Sequence, residues 1–100
     1  MLPRNRRPTP PGEILRHEFL EPLGLTQKEL AAALGITRVR LSEILRGRRA
    51  VTPDTAFRLA RFFDTTPEFW LGLQTDVSLW DTLQEHAAEY EQIKPVKSAA

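Results

Sequence analysis

Apolar residues recur at spacings of three and four along most of this chain, and no stretch alternates apolar and polar positions with the period of a strand. The clearest run is Gln27 to Arg46, QKELAAALGITRVRLSEILR, in which Leu30, Leu34, Ile36, Leu41, Ile44 and Leu45 supply one buried face. That pattern predicts two short helices around a turn at Gly35, where a left-handed backbone costs least for a residue without Cβ. Ala31 is small where the second helix would cross the first. The remaining positions of the second helix, Arg38, Val39, Arg40, Ser42 and Glu43, are mostly polar and point outward. A helix presented in that way fits the major groove of DNA.

Capping signals divide the rest of the chain. A first helix begins near Pro11, carries Glu13 in its first turn and Ile14, Leu15 and Phe19 on its apolar face, and stops at Pro22 and Gly24. Thr26 and Glu29 form a T-x-x-E capping box for the second helix, and Thr37 caps the third, which ends at Gly47. Thr52-Pro53 opens a fourth helix through Phe63, with Leu59, Phe62 and Phe63 on its buried side, and Thr66-Pro67 opens a fifth by the same device. The expected fold is all-α, a compact bundle of five helices over residues 11–74. A basic arm (1–10) expected to be mobile precedes it, and a helical extension (75–92) and a frayed tail (93–100) follow.

Trp70, Leu73, Val77, Trp80, Leu83, Ala87 and Tyr90 continue the helical spacing through that extension. Trp70 and Leu73 can pack on the bundle. Beyond them two outcomes stand: the helix continues and offers Leu73, Val77 and Trp80 as a subunit interface, or it breaks near Thr75-Asp76 and folds Trp80 back into the molecule.

Composition narrows the chemistry. The chain has 100 residues, enough for one small domain, with a net charge of +1 and no cysteine. Disulfides, thiolate metal sites and cysteine nucleophiles are excluded, and a reducing cytoplasm is the expected setting. No apolar run is long enough to span a bilayer, and the basic, proline-bearing start lacks the apolar core of a signal peptide. The small net charge hides an asymmetry: residues 1–49 hold ten Lys and Arg against five Asp and Glu, and residues 50–100 hold four against eight. A basic half and an acidic half suggest two partner surfaces.

Within the basic half, Thr37 caps the third helix close to a DNA backbone or a thymine methyl. Arg38 lies in the first turn, where arginine can bridge guanine O6 and N7. Val39 suits a thymine methyl. Arg40 can read a base or neutralise a phosphate, and Glu43, three residues on, can accept from cytosine N4 or, as the favoured reading, buttress Arg40. Gln27 starts the second helix, where side chain and free backbone N–H groups can bind a phosphate, and Arg46, Arg48 and Arg49 follow the third helix as expected backbone contacts. His17 and His86 stand apart with no metal-ligand spacing, and Asp54 and Glu68 suit helix dipoles. No catalytic constellation, metal site or cofactor motif stands out, so no enzyme and no cofactor is expected.

These residues resemble a known family. QKELAAALGITRVRLSEILRG, followed by Val51-Thr52-Pro53 and the segment Phe57 to Phe63, resembles the lambda-repressor-like helix-turn-helix domains. The flanks PTPPGEILRHEFLEPLGL and TPEFWLGL resemble those of the HigA (VapI-type) antitoxins of bacterial toxin–antitoxin modules, and the likeness spans residues 8–85. The resemblance implies a homodimer that binds a palindromic operator in its own promoter and neutralises a small basic HigB-type toxin that cleaves mRNA on the ribosome. It also implies a bacterial cytoplasmic location. By position it gives Gln27 a phosphate contact and makes Thr37, Arg38, Val39 and Arg40 base-facing. The family often has a small or hydroxyl residue where Arg40 stands and Asn where Arg46 stands. Its toxin contacts carry over only as a region, the N-terminal arm and first helix. Two other readings are open on the residues alone: a solitary sequence-specific repressor, and a protein-sequestering module without a DNA role.

Overall fold

The computed structural model describes residues 6–97, and among these every regular element is helical. The expected arm and tail therefore fall partly outside the described residues, at 1–5 and 98–100. Helix α1 runs over residues 11–23, α2 over Gln27–Leu34, α3 over Arg38–Leu45, α4 over Pro53–Phe63 and α5 over Pro67–Glu91.

The helix starts follow the capping chemistry. Thr26 Oγ1 accepts from Glu29 N at 3.0 Å while Glu29 Oε1 accepts from Thr26 N at 2.9 Å, a reciprocal capping box. Thr37, Thr52 and Thr66 each accept from the backbone N–H three residues on, at 3.1, 3.3 and 3.1 Å. Prolines at 53 and 67 occupy the first helical position, where the missing N–H costs nothing. Gly35 and Gly47 carry φ of +70° and +73° just past α2 and α3.

Helix α1 departs from the expected plain α-helix. Its middle, Leu15–Leu20, is π-helical, with the Glu21 N–H bonded to Arg16 O. Pro22 lies one turn later, inside the helix rather than beyond its end. Proline lacks the N–H and crowds the preceding turn, and the wider π turn ahead of it supplies the room.

The core is one cluster drawn from all five helices and the α3–α4 loop: Leu15 and Leu20 from α1, Leu30, Ala31 and Leu34 from α2, Leu41, Ile44 and Leu45 from α3, Val51, then Ala56, Leu59 and Ala60 from α4 and Trp70 from α5. Trp70 is fully buried, its indole N–H donating to Thr65 Oγ1 at 2.8 Å, with the Phe19 and Phe69 rings 5.1 and 5.0 Å away. It seats the base of α5 on α1 and α4. Farther along, Val51 N–H donates to Gln74 Oε1 at 2.9 Å, tying the α3–α4 loop to the same helix.

Helix α5 does not break at Thr75-Asp76 but runs unbroken over its 25 residues, which stretches the molecule to 54 Å against 25 and 22 Å in the other directions. The stripe proposed for a subunit interface divides between two faces. Val77 is buried at 4% exposure, so it is covered by its own chain and that expectation is corrected for it; Leu73, which packs on the core, and Trp80 are both half-buried. A second line, Phe69, Gly72, Leu79, Leu83 and Tyr90, is exposed along the outer side of α5. Period-3.6 spacing cannot separate two adjacent faces when both are apolar.

Of the arm, Arg7 reaches α5 with a bidentate ion pair, Nε to Asp81 Oδ1 at 2.8 Å and Nη2 to Oδ2 at 2.9 Å.

Pro11 and Gly12 are buried where α1 begins against the end of α3. A Cβ on Gly12 would run into the backbone carbonyls of Ile44 and Leu45, the latter at 2.8 Å. Gly12→Ala is expected to force α1 off α3 at an overpacking cost of about 1–3 kcal/mol. Thermal unfolding should show a Tm lower by about 4–8 °C for each kcal/mol; an unchanged Tm would mean that the two helix ends separate freely.

Candidate nucleic-acid interface

Helix α3 buries Leu41, Ile44 and Leu45 and turns its other positions outward. Val39 is 67% exposed, and Arg38 and Arg46 are also exposed. Together with Gln27 at the start of α2 and Ser42, these residues line a shallow hollow of about 390 Å³. The turn brings Gln27, from the next helix, beside Arg38 because α2 and α3 pack through Leu30, Ala31, Leu34 and Leu41. The surface combines two guanidiniums, an amide, a hydroxyl and a branched apolar group. Those are the groups that read base edges, cover a thymine methyl and bond phosphate oxygens.

The predicted residues do not all lie on that surface. Arg40, expected among the base readers, sits on the opposite flank of α3, its Nη2 donating to Asp54 Oδ2 at 3.0 Å and to Thr55 Oγ1 at 2.6 Å. Glu43 does not buttress Arg40, as its three-residue spacing suggested. It takes Arg49 instead, Oε1 accepting from Nε at 2.8 Å and Nη2 at 2.7 Å. The Arg40 side chain lies toward α4 and the Glu43 side chain toward the loop after α3, so their spacing along the helix is not used. Arg49, expected at the DNA backbone, is thereby partly neutralised, whereas Arg46 and Arg48 stay exposed. Thr37 is exposed, but its hydroxyl is committed to the Arg40 N–H as the helix cap.

Arg58 and Asp54 form a cluster beside this surface that the sequence did not single out. Arg58 Nε donates to Asp54 Oδ2 at 2.9 Å, and its Nη1 donates to Leu34 O at 2.8 Å and Gly35 O at 3.4 Å. One guanidinium thus covers the carbonyl end of α2 and fixes the turn that leads into α3. The four-residue spacing of Asp54 and Arg58 on one helix was the legible signal; their reach to α2 and α3 was not. Hydrogen bonds from Arg40 and then Arg58 hold the Asp54 carboxyl below its ordinary range, as the Arg7 guanidinium does for Asp81 and the Thr26 N–H for Glu29.

Each of these carboxyls is depressed in the folded chain, so each stabilises it at neutral pH, and the contribution is lost as pH falls through its lowered value. Melting followed from pH 6 down to pH 3 should show a Tm that drops below about pH 4, where unfolded carboxylates titrate. A chain carrying Asp54→Asn and Asp81→Asn should show a flatter profile; equal slopes would assign the acid sensitivity elsewhere.

Comparison with known proteins agrees with this geometry. The helix-turn-helix family profile matches residues 17–70. The chain is 43% identical to antitoxin HigA-1 of Vibrio cholerae over 96 residues, spanning 96% of this chain and 90% of that one. It is 48% identical to a helix-turn-helix-type transcriptional regulator of Haemophilus influenzae over 87 residues, covering 87% of this chain and 79% of the relative. Among solved structures, antitoxin HigA of Pseudomonas aeruginosa with the higBA promoter superposes with a TM-score of 0.85 at 37% identity, over 90% of this chain and 99% of that chain. Antitoxin GraA in complex with its operator gives 0.86 at 41% identity, over 98% and 100%.

Proposed function

The chain belongs to the HigA-type antitoxins of the helix-turn-helix family, and from that premise we propose that it binds its own operator as a dimer and neutralises a small basic toxin. The observation that carries the DNA half is the hollow of Gln27, Arg38, Val39, Ser42 and Arg46 on a helix whose fold is shared with relatives solved on promoter and operator DNA. Arg38 and Val39 meet base edges, with Thr37 at the entry of the helix. Gln27, Arg46 and Arg48 hold phosphates and set the register, and Arg49 contributes only as far as Glu43 releases it.

A palindromic operator requires two copies whose recognition helices lie about one turn of DNA apart, roughly 34 Å. The outer face of α5 supports the pairing. Phe69, Leu79, Leu83 and Tyr90 are 41, 52, 45 and 43% exposed, and Gly72 leaves open space in the same line. This seam runs about 31 Å along the helix, and Trp80 lies at its edge. Past Val77 the helix has no buried residue of its own, and an isolated helix of that length is marginal in water. A second copy would cover it. Like relatives named only as transcriptional regulators, the chain could also act without a toxin; a neighbouring gene for a small basic protein that co-purifies with this chain separates the two readings.

Binding to the chain's own upstream DNA, compared with random duplex in a gel shift at physiological salt, tests the operator reading; equal affinities would sink it. Arg38→Ala should lose about 1–3 kcal/mol of base discrimination, whereas Arg48→Ala should weaken all sequences alike. Leu83→Glu should give a monomer by light scattering and weaken operator binding with it. A fully dimeric variant would move the subunit interface off α5.

A further inference from the structure

Arg40 lies in the segment expected to read DNA, yet its guanidinium is bonded toward α4. It lies about 100° around α3 from Val39, outside the hollow that gathers Arg38, Val39, Ser42 and Arg46. Its guanidinium is bonded to a carboxylate and to the hydroxyl of Thr55, which is 1% exposed. The carboxylate oxygen that holds it also holds Arg58, and Arg58 ends on the carbonyls of Leu34 and Gly35. These bonds join the first turn of α3, the first turn of α4 and the last turn of α2, so they enclose the helix-turn-helix turn. A Cβ at Gly35 would come within 3.1 Å of Arg58 Nη1, so the guanidinium lies close against the turn.

We propose that Asp54 withholds Arg40 from DNA, so that α3 reads its site through Arg38, Val39 and Ser42 while Arg40 serves as a positioning residue that fixes the angle of the recognition helix. The inference deepens the operator-binding reading and rests on it. The pairs are not a source of much stability, since the Arg40 and Asp54 side chains are 27% and 59% exposed and ion pairs of that kind contribute little. What they control is charge and orientation. Held by Asp54, Arg40 adds nothing to sequence-independent attraction for phosphate, and α3 keeps one setting against α4. Released, it becomes a mobile cation at the edge of the DNA-facing surface.

The test uses the full chain as wild type, Asp54→Asn, Arg40→Ala and the double variant. Random-duplex affinity is measured across salt concentrations, operator preference by competition, and amide hydrogen exchange over residues 35–40 in the free proteins. Asp54→Asn is expected to bind random duplex several-fold tighter, with a salt slope steeper by about 0.9, the value of one added phosphate contact. Arg40→Ala is expected to leave random-duplex affinity and slope as in wild type, and the double variant to match Arg40→Ala. Both single variants should lower operator preference by similar factors and speed exchange over residues 35–40.

Three results would overturn the proposal. A salt slope shallower by about one in Arg40→Ala would show that Arg40 already touches a phosphate. Tighter random binding that persists in the double variant would trace the effect to removal of the Asp54 charge alone. Full operator preference in Asp54→Asn, beside its loss in Arg40→Ala, would make Arg40 a reader. Wild-type chain without operator preference would sink the operator reading separately, and unchanged exchange in Asp54→Asn would then still decide against the clamp.

Discussion

Helix ends are the constraint on which this fold depends. A helix that stops inside a small bundle leaves carbonyls without partners, and buried carbonyls must be met. Helix α2 stops at Leu34, whose side chain is buried, and the chain turns through exposed Gly35 into α3. Its last carbonyls are met by a left-handed glycine and by a guanidinium sent from α4. Helix α3 stops at Leu45, and its end is met differently: the backbone N–H groups of Arg48 and Arg49 turn back to Glu43 O at 2.8 and 3.2 Å, while the bare backbone of Gly12 closes over Ile44 and Leu45. The recognition helix is therefore fixed at both ends by contacts that leave its outer face open.

The parts of the structure that were legible in the sequence are those decided within one turn of chain. Thr26 with Glu29, Thr37, Thr52-Pro53 and Thr66-Pro67 each marked a helix start, because capping chemistry acts over three residues. Gly35 marked the turn for the same reason. What the sequence could not reveal depends on how helices face one another. Arg40 stands three residues from Glu43 and fourteen from Asp54, yet pairs with Asp54, because its side chain leaves α3 toward α4. Arg7 and Asp81 are 74 positions apart and meet only because α1 lays the arm beside α5. The stripe on α5 was real, but its members served two surfaces, with Val77 turned inward and Leu83 outward. The π turn in α1 left no mark except the proline that follows it.

Charge is sorted along the chain in step with these surfaces. The basic half carries the arginines of α3 and its following loop, and the helix that leaves the bundle has no Lys or Arg between Arg61 and Lys94. That division concentrates acidic charge on the part of the molecule that projects from the bundle. Asp54 and Glu43, beside the arginines of α3 and its following loop, are each engaged by arginine. Pairing of this kind tempers a basic surface without removing its cations, and so limits attraction that carries no sequence information.

The bare backbone of Gly12 separates what must stay constant from what can vary. A side chain at the junction of α1 and α3 would collide with the Ile44 and Leu45 carbonyls, so the placement of α3 is set by a residue outside the hollow of Gln27, Arg38, Val39, Ser42 and Arg46. Arg38, Val39 and Ser42 lie on the far side of the same helix and outside the core cluster. On the proposed reading, substitutions among them change which bases are met while the core cluster is untouched. A lineage carrying this fold would then drift from one operator sequence to another by single steps, each passing through a protein that still folds.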